Sequence, residues 1–112
     1  MKKTFFASQH IKRGESDNDY EFTLEYYLVS NSIRDYEYNE YKDCFGIEII
    51  KKYTDISGNE LSQKSTAKNL TTDKKSAYGL LRSVYNQKIT PACLLEVIDD
   101  NYEEFIVNKI RA

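Results

Sequence analysis

His10 is the only histidine of the 112 residues and stands in "ASQHIKR", two positions after Ser8. A nucleophilic relay needs an imidazole touching a hydroxyl or thiol, with an acid to orient it. Two-residue spacing puts Ser8 and His10 on one face of a strand but activates neither, so His10 reads as a surface histidine of an edge strand. The two thiols are Cys44 and Cys93. Cys93 falls in the first turn of an expected helix, where the macrodipole favours a thiolate; this makes it the one candidate for a small thiol enzyme. The plainer reading of each is a small, commonly buried side chain. Cys44 follows Asp43 and has less reason to ionise. Neither has a partner at metal-ligand spacing, and a disulfide would require the two positions to meet.

Acidic residues gather in "EVIDDNYEEF". Glu96, Asp100 and Glu103 recur at i, i+4, i+7 and line one side of a helix. Hard cations need several converging oxygens, whereas one helix face offers oxygens side by side. A solvated face is the expectation, and neither a metal nor a cofactor is expected. Lysines form a second set: Lys51 and Lys52 end one strand, Lys64 and Lys68 lie along the next, and Lys74 and Lys75 open a helix. Were they to share a face, the strip would suit phosphates, with Tyr53 available to stack a base. Against this, the net charge is -2 and the pI near 5.4, and a nucleic-acid-binding domain favours a basic face. None of the four glycines stands at the G-x-G or G-x-x-x-x-G-K spacing of a phosphate cradle.

The elements that would hold these residues follow from hydrophobic period. "KTFFASQHI" suits a short strand over about 3–11, and "RGESDNDY" a loop. In "YEFTLEYYLV", Tyr20, Phe22, Leu24, Tyr26 and Leu28 alternate with polar residues, a half-buried strand over about 20–30. "SNSIRDYEYNE" keeps no period and reads as a connection. Alternation resumes over about 41–54, where Tyr41, Phe45, Ile47 and Ile49 are in phase and Lys51 interrupts. Gly46 inside this strand suggests a bulge or close backbone approach. "DISGNEL" signals a turn, and the polar segment of about 60–70 reads as an edge strand whose lysines discourage further pairing.

The period then changes. Thr71 or Thr72 can cap a helix over about 73–87, with Ala77, Leu80, Leu81, Val84 and Tyr85 as its stripe. Thr90 and Pro91 open a second, over about 91–107, with Leu94, Leu95, Ile98, Tyr102, Phe105 and Ile106 facing inward. Strands followed by helices predict one α+β domain over 1–112: an antiparallel sheet of three to four strands with an antiparallel helical hairpin on one face. "CFGIEIIKK" and "NQKITPACLLEVIDD" together resemble an uncharacterised family of small proteins from anaerobic Gram-positive bacteria. The matching residues are Phe45-Gly46-Ile47-Glu48 and Thr90-Pro91 through Leu94, Val97, Ile98, Asp99 and Asp100, with Phe45 where that family has tyrosine. The resemblance spans about 41–106. It implies a bacterial cytosolic domain and no particular chemistry.

"MKKTFFASQH" lacks the apolar run of a secretory signal, and no stretch approaches the roughly 20 apolar residues of a membrane span; a cytoplasmic protein with reduced, mostly buried thiols is expected. The remaining chemical signal is tyrosine, ten residues with no tryptophan. Tyrosines collect at interfaces because they carry large rigid area and a polar tip. Tyr20 and Tyr26 are expected in the core, and Tyr27, Tyr36 and Tyr38 on an interaction surface. The function read from sequence is therefore a small non-catalytic binding or regulatory module acting on a protein or on a second copy of itself. The alternatives are a nucleic-acid accessory protein using the lysine strip and a thiol enzyme at Cys93.

Overall fold

The computed structural model describes residues 1–14 and 20–98. Strands Lys2–Ile11 (β1), Phe22–Asp35 (β2), Glu40–Thr54 (β3) and Glu60–Thr71 (β4) form one antiparallel sheet in the order β1-β2-β3-β4. The helix Lys74–Asn86 (α1), a 3-10 turn Pro91–Cys93 and helical residues 94–98 follow. The α+β class, the antiparallel sheet and the strands-then-helices order are those the periodicity predicts. The expected second helix is described only to Ile98; Tyr102, Phe105, Ile106 and the acids Asp99, Asp100, Glu103 and Glu104 lie outside the described residues.

Register makes the two sheet faces unequal. Tyr26 opposes Ile49 and Leu28 opposes Ile47, and Ala67 lies across from Ile47 on β4. With Ile11, Phe22 and Leu24 they meet Ala77, Leu81 and Val84 of α1 and the later Leu94 and Ile98 in one core. Each such aliphatic side chain contributes roughly 1.5–3 kcal/mol on burial. Tyr26 is fully buried there, and its hydroxyl donates to the Ile89 carbonyl at 3.2 Å and accepts from Gln9 at 3.0 Å. Burial pushes its pKa up to about 12. Gln9 also donates to the Tyr85 carbonyl at 2.8 Å, tying β1 to the end of α1.

Gly46 is a close-approach site. Between the pairs Phe45–Thr71 and Ile47–Ala67 the β4 chain spends extra residues, with Asn69 at φ 57°. A Cβ at position 46 would run into the Ala67 carbonyl oxygen, so the glycine admits the bulge.

Several boundaries and faces differ from the sequence reading. β2 continues to Asp35 and β3 begins at Glu40, so most of "SNSIRDYEYNE" is strand. Its pairing partner supplies the order that its own period lacks. Tyr41 keeps the phase of Phe45 and Ile47 but is exposed, because the strand there has run past the core. Tyr20 lies at the rim and is partly exposed rather than buried. Asp73, not a threonine, caps α1: its carboxylate accepts from the Lys75 amide at 3.3 Å and from Ser76 Oγ at 2.6 Å. Thr90 has the extended backbone of a cap without its side-chain hydrogen bond, while Pro91 takes the first turn as expected. Leu95 points outward, since the 3-10 turn before it shifts the helical phase.

Candidate interaction surface

The length mismatch between strands creates the most distinctive surface. β1 pairs with β2 no further than Ser30, and β4 with β3 no further than Phe45. Residues 31–35 and 40–44 therefore pair only with each other among the described residues, from Asn31–Cys44 to Asp35–Glu40. They form a two-stranded ribbon that projects from the sheet, closed by a turn in which Asn39 takes φ 51°. At 3.3–3.4 Å per residue, five paired residues reach about 17 Å beyond the core.

Large side chains on this ribbon are exposed: Tyr36 by 83%, Tyr41 by 71%, Tyr38 by 64% and Ile33 by 41%. The rings are held by cations of the ribbon itself. The Arg34 guanidinium lies 5.3 Å from the Tyr36 ring centre and the Lys42 ammonium 5.3 Å from that of Tyr38. Arg34 also donates to Asn39 Oδ1 at 2.7 Å, bracing the turn, and Ser32 donates to Asp43 at 3.3 Å. Asn31 donates to Asn69 at 3.0 Å and anchors the ribbon base to the β4 bulge. Two clefts flank that base. One, about 650 Å³, is lined by Lys2, Ser30, Asn31, Ser32, Asp43 and Lys74. The other, about 400 Å³, is lined by Ile33, Tyr36, Lys42, Cys44 and Asn69.

The structure places Tyr36 and Tyr38 on one ribbon and adds Tyr41 and Ile33 to it, which sequence reasoning assigned to the core and to a connection. It places Tyr27 elsewhere, half-buried on the sheet face away from α1. There Tyr27 donates to Glu25 at 2.9 Å and packs edge-on against Phe5. The same face buries Glu48. Its Oε1 accepts from Thr66 at 2.7 Å, and its Oε2 meets the Lys3 ammonium at 2.8 Å as an ion pair rather than an aligned hydrogen bond. Burial pushes the Glu48 pKa up, but the Lys3 ammonium, the Thr66 hydroxyl and the charge of Lys64 outweigh it, and the carboxyl sits below its ordinary value.

The six lysines do not form a strip. Lys52 and Lys64 stand on the open face, where Lys52 pairs with Glu25 at 3.2 Å. Lys68 is in the β4 bulge, and Lys74 and Lys75 begin α1. Lys51 is on the opposite face, only 9% exposed. Its ammonium sits 4.5 Å from the Phe22 ring, 4.8 Å from Tyr20 and 5.5 Å from Tyr53, and donates to the Tyr20 hydroxyl at 2.6 Å. The residue that broke the apolar alternation thus rejoins the core edge through cation–π contacts.

The remaining candidates stand apart. His10 is exposed, 3.1 Å from Glu21 and 3.4 Å from Thr23, with no hydrogen bond to Ser8 among the described residues. Both cysteines are free; Cys44 is buried, while Cys93 is exposed rather than buried as expected. Among the described residues no group of three or more His, Cys, Asp or Glu side chains could hold a metal, and no helix is long and apolar enough to cross a membrane.

No curated protein and no solved structure matches the chain. A family model does, over residues 7–104, which takes in the second half of β1 as well as the Phe45 and Thr90 segments that carry the resemblance in sequence. The chain therefore belongs to the family described as a Family of unknown function (DUF6514).

Proposed function

We propose that this chain is a small non-catalytic binding module of the cytoplasm whose projecting ribbon, residues 31–44, is its protein-contact surface. The observation that carries the reading is the ribbon's exposure of Tyr36, Tyr38, Tyr41 and Ile33 on a strand pair that neither β1 nor β4 extends to among the described residues. An isolated two-stranded hairpin is marginal in water, and aromatic rings with polar tips are the side chains that protein interfaces concentrate. Charge favours a protein over a nucleic acid, since the ribbon carries Arg34 and Lys42 against Asp35, Glu37, Glu40 and Asp43. A phosphate backbone would be repelled by that excess. Of the lysines that would have supported the nucleic-acid reading, Lys51 is buried on the opposite sheet face from Lys52 and Lys64.

Cross-linking of the tagged full chain in its host, followed by mass spectrometry, tests the reading. The Tyr36→Ala/Tyr38→Ala variant keeps the melting temperature within a few degrees, because neither ring touches the core, and loses the ribbon-linked partners. An unchanged set of cross-linked partners overturns the proposal.

A further inference from the structure

Resting on the reading of the ribbon as a contact surface, we propose that its partner is a second copy of this chain. The acidic tip of each ribbon would seat in the basic cleft beside the other's ribbon base, in a two-fold dimer.

Two features of the same molecule complement each other. The tip, residues 35–40 "DYEYNE", holds three acids and no base, with Tyr36 and Tyr38 as its bulk. The larger cleft at the ribbon base is lined by Lys2 and Lys74, by Ser30, Asn31 and Ser32, and by the apolar Met1 and Phe45, with Asp43 as its one acid. The cleft's roughly 650 Å³ accommodates a tyrosine-bearing tip: Met1 and Phe45 offer apolar surface to a ring, and Lys2 and Lys74 offer charge to the carboxylates.

Geometry makes the pairing reciprocal. Tip and cleft lie at opposite ends of one ribbon, so two ribbons laid side by side in opposite directions bring each tip to the other's base. That arrangement is isologous: residue i meets j and j meets i. It uses both contacts twice and closes without leaving a free end. It also gives each ribbon a strand neighbour along its length, where β1 and β4 do not reach among the described residues. Stable dimers bury about 800 Å² per partner, an area that requires the ribbon flanks as well as the tips to take part.

The test is sedimentation of the full chain over a range of concentrations, with charge reversal at each end. Wild type sediments as a dimer of the 13.1 kDa chain, and rising salt weakens it. Glu37→Lys/Glu40→Lys reverses the tip and Lys2→Glu/Lys74→Glu reverses the cleft. Each variant alone dissociates at least ~100-fold more readily, since like charges then face each other at both contacts. Mixed in equal amounts, the two variants restore a heterodimer, because tip and cleft charges are opposite again in both contacts. Circular dichroism checks folding; Lys74→Glu is safe in this respect because an acid suits the first turn of a helix. A monomeric wild type, dimers that survive both reversals, or a mixture that stays monomeric overturns the self-pairing. If self-pairing fails while the tyrosine variant still loses cross-linked partners, the ribbon remains a contact surface for another protein.

Discussion

Glu48 and Lys51 occupy adjacent regions of β3 and handle buried charge in different ways. Glu48 points to the open face, paired with the Lys3 charge and hydrogen-bonded by Thr66; Lys51 points to the core face and is held by ring faces and one phenol. The Glu48 pair has a measurable pH signature. A carboxyl whose pKa is lowered on folding stabilises fully above the unfolded value, near 4.3, and loses that contribution as pH falls through the folded value. Glu48→Gln therefore lowers stability at neutral pH by about 1–2 kcal/mol, the Lys3 head being partly exposed and screened. Urea denaturation at pH 7 and at pH 3 should show the gap to wild type closing in acid. A gap of equal size at both pH values would rule out the ion pair as the cause. Lys51 was legible only as an interruption in the apolar alternation. Its accommodation depends on Tyr20 and Phe22, some thirty residues earlier in the chain, and no local signal announces that meeting.

At the scale of elements, two glycines with similar sequence surroundings have opposite roles. Gly79 lies in α1 with open space where a Cβ would stand. Gly79→Ala should raise stability by about 0.5–1 kcal/mol, the ordinary helix-interior difference. Gly46→Ala should lower it by about 1–3 kcal/mol, because the new methyl meets the Ala67 carbonyl and must push β4 aside. Thermal melts of the two variants should move in opposite directions; a downward shift for Gly79→Ala would mean that the helix face is more crowded than its geometry indicates. The elements themselves were readable where burial imposes a period. β2 from Phe22 to Leu28 and α1 with Ala77, Leu81 and Val84 follow their patterns closely. The ribbon was not, because a strand exposed on both faces has no reason to alternate, and only its partner strand holds it extended.

The whole molecule is longer than a domain of its size. The described residues extend 54 × 25 × 19 Å with a radius of gyration of 15.9 Å, against about 13 Å for a compact chain of this length. The ribbon's reach of about 17 Å adds to that length, so core and ribbon should be separable. Replacing residues 33–42 with Asn-Gly, a two-residue hairpin turn, should leave the melting temperature within a few degrees while abolishing self-association. Collapse of the fold on this truncation would show instead that the ribbon is structural. From composition and period alone came the α+β class, the face of each central strand and helix that is buried, and a surplus of tyrosine. Those properties are local: alternation at two or 3.6 residues reports which side meets apolar neighbours. Which tyrosines stand together, where the lysines point and how far β2 and β3 outrun their neighbours were decided by strand length and register. These are properties of paired segments, and a single segment carries no record of where its partner ends.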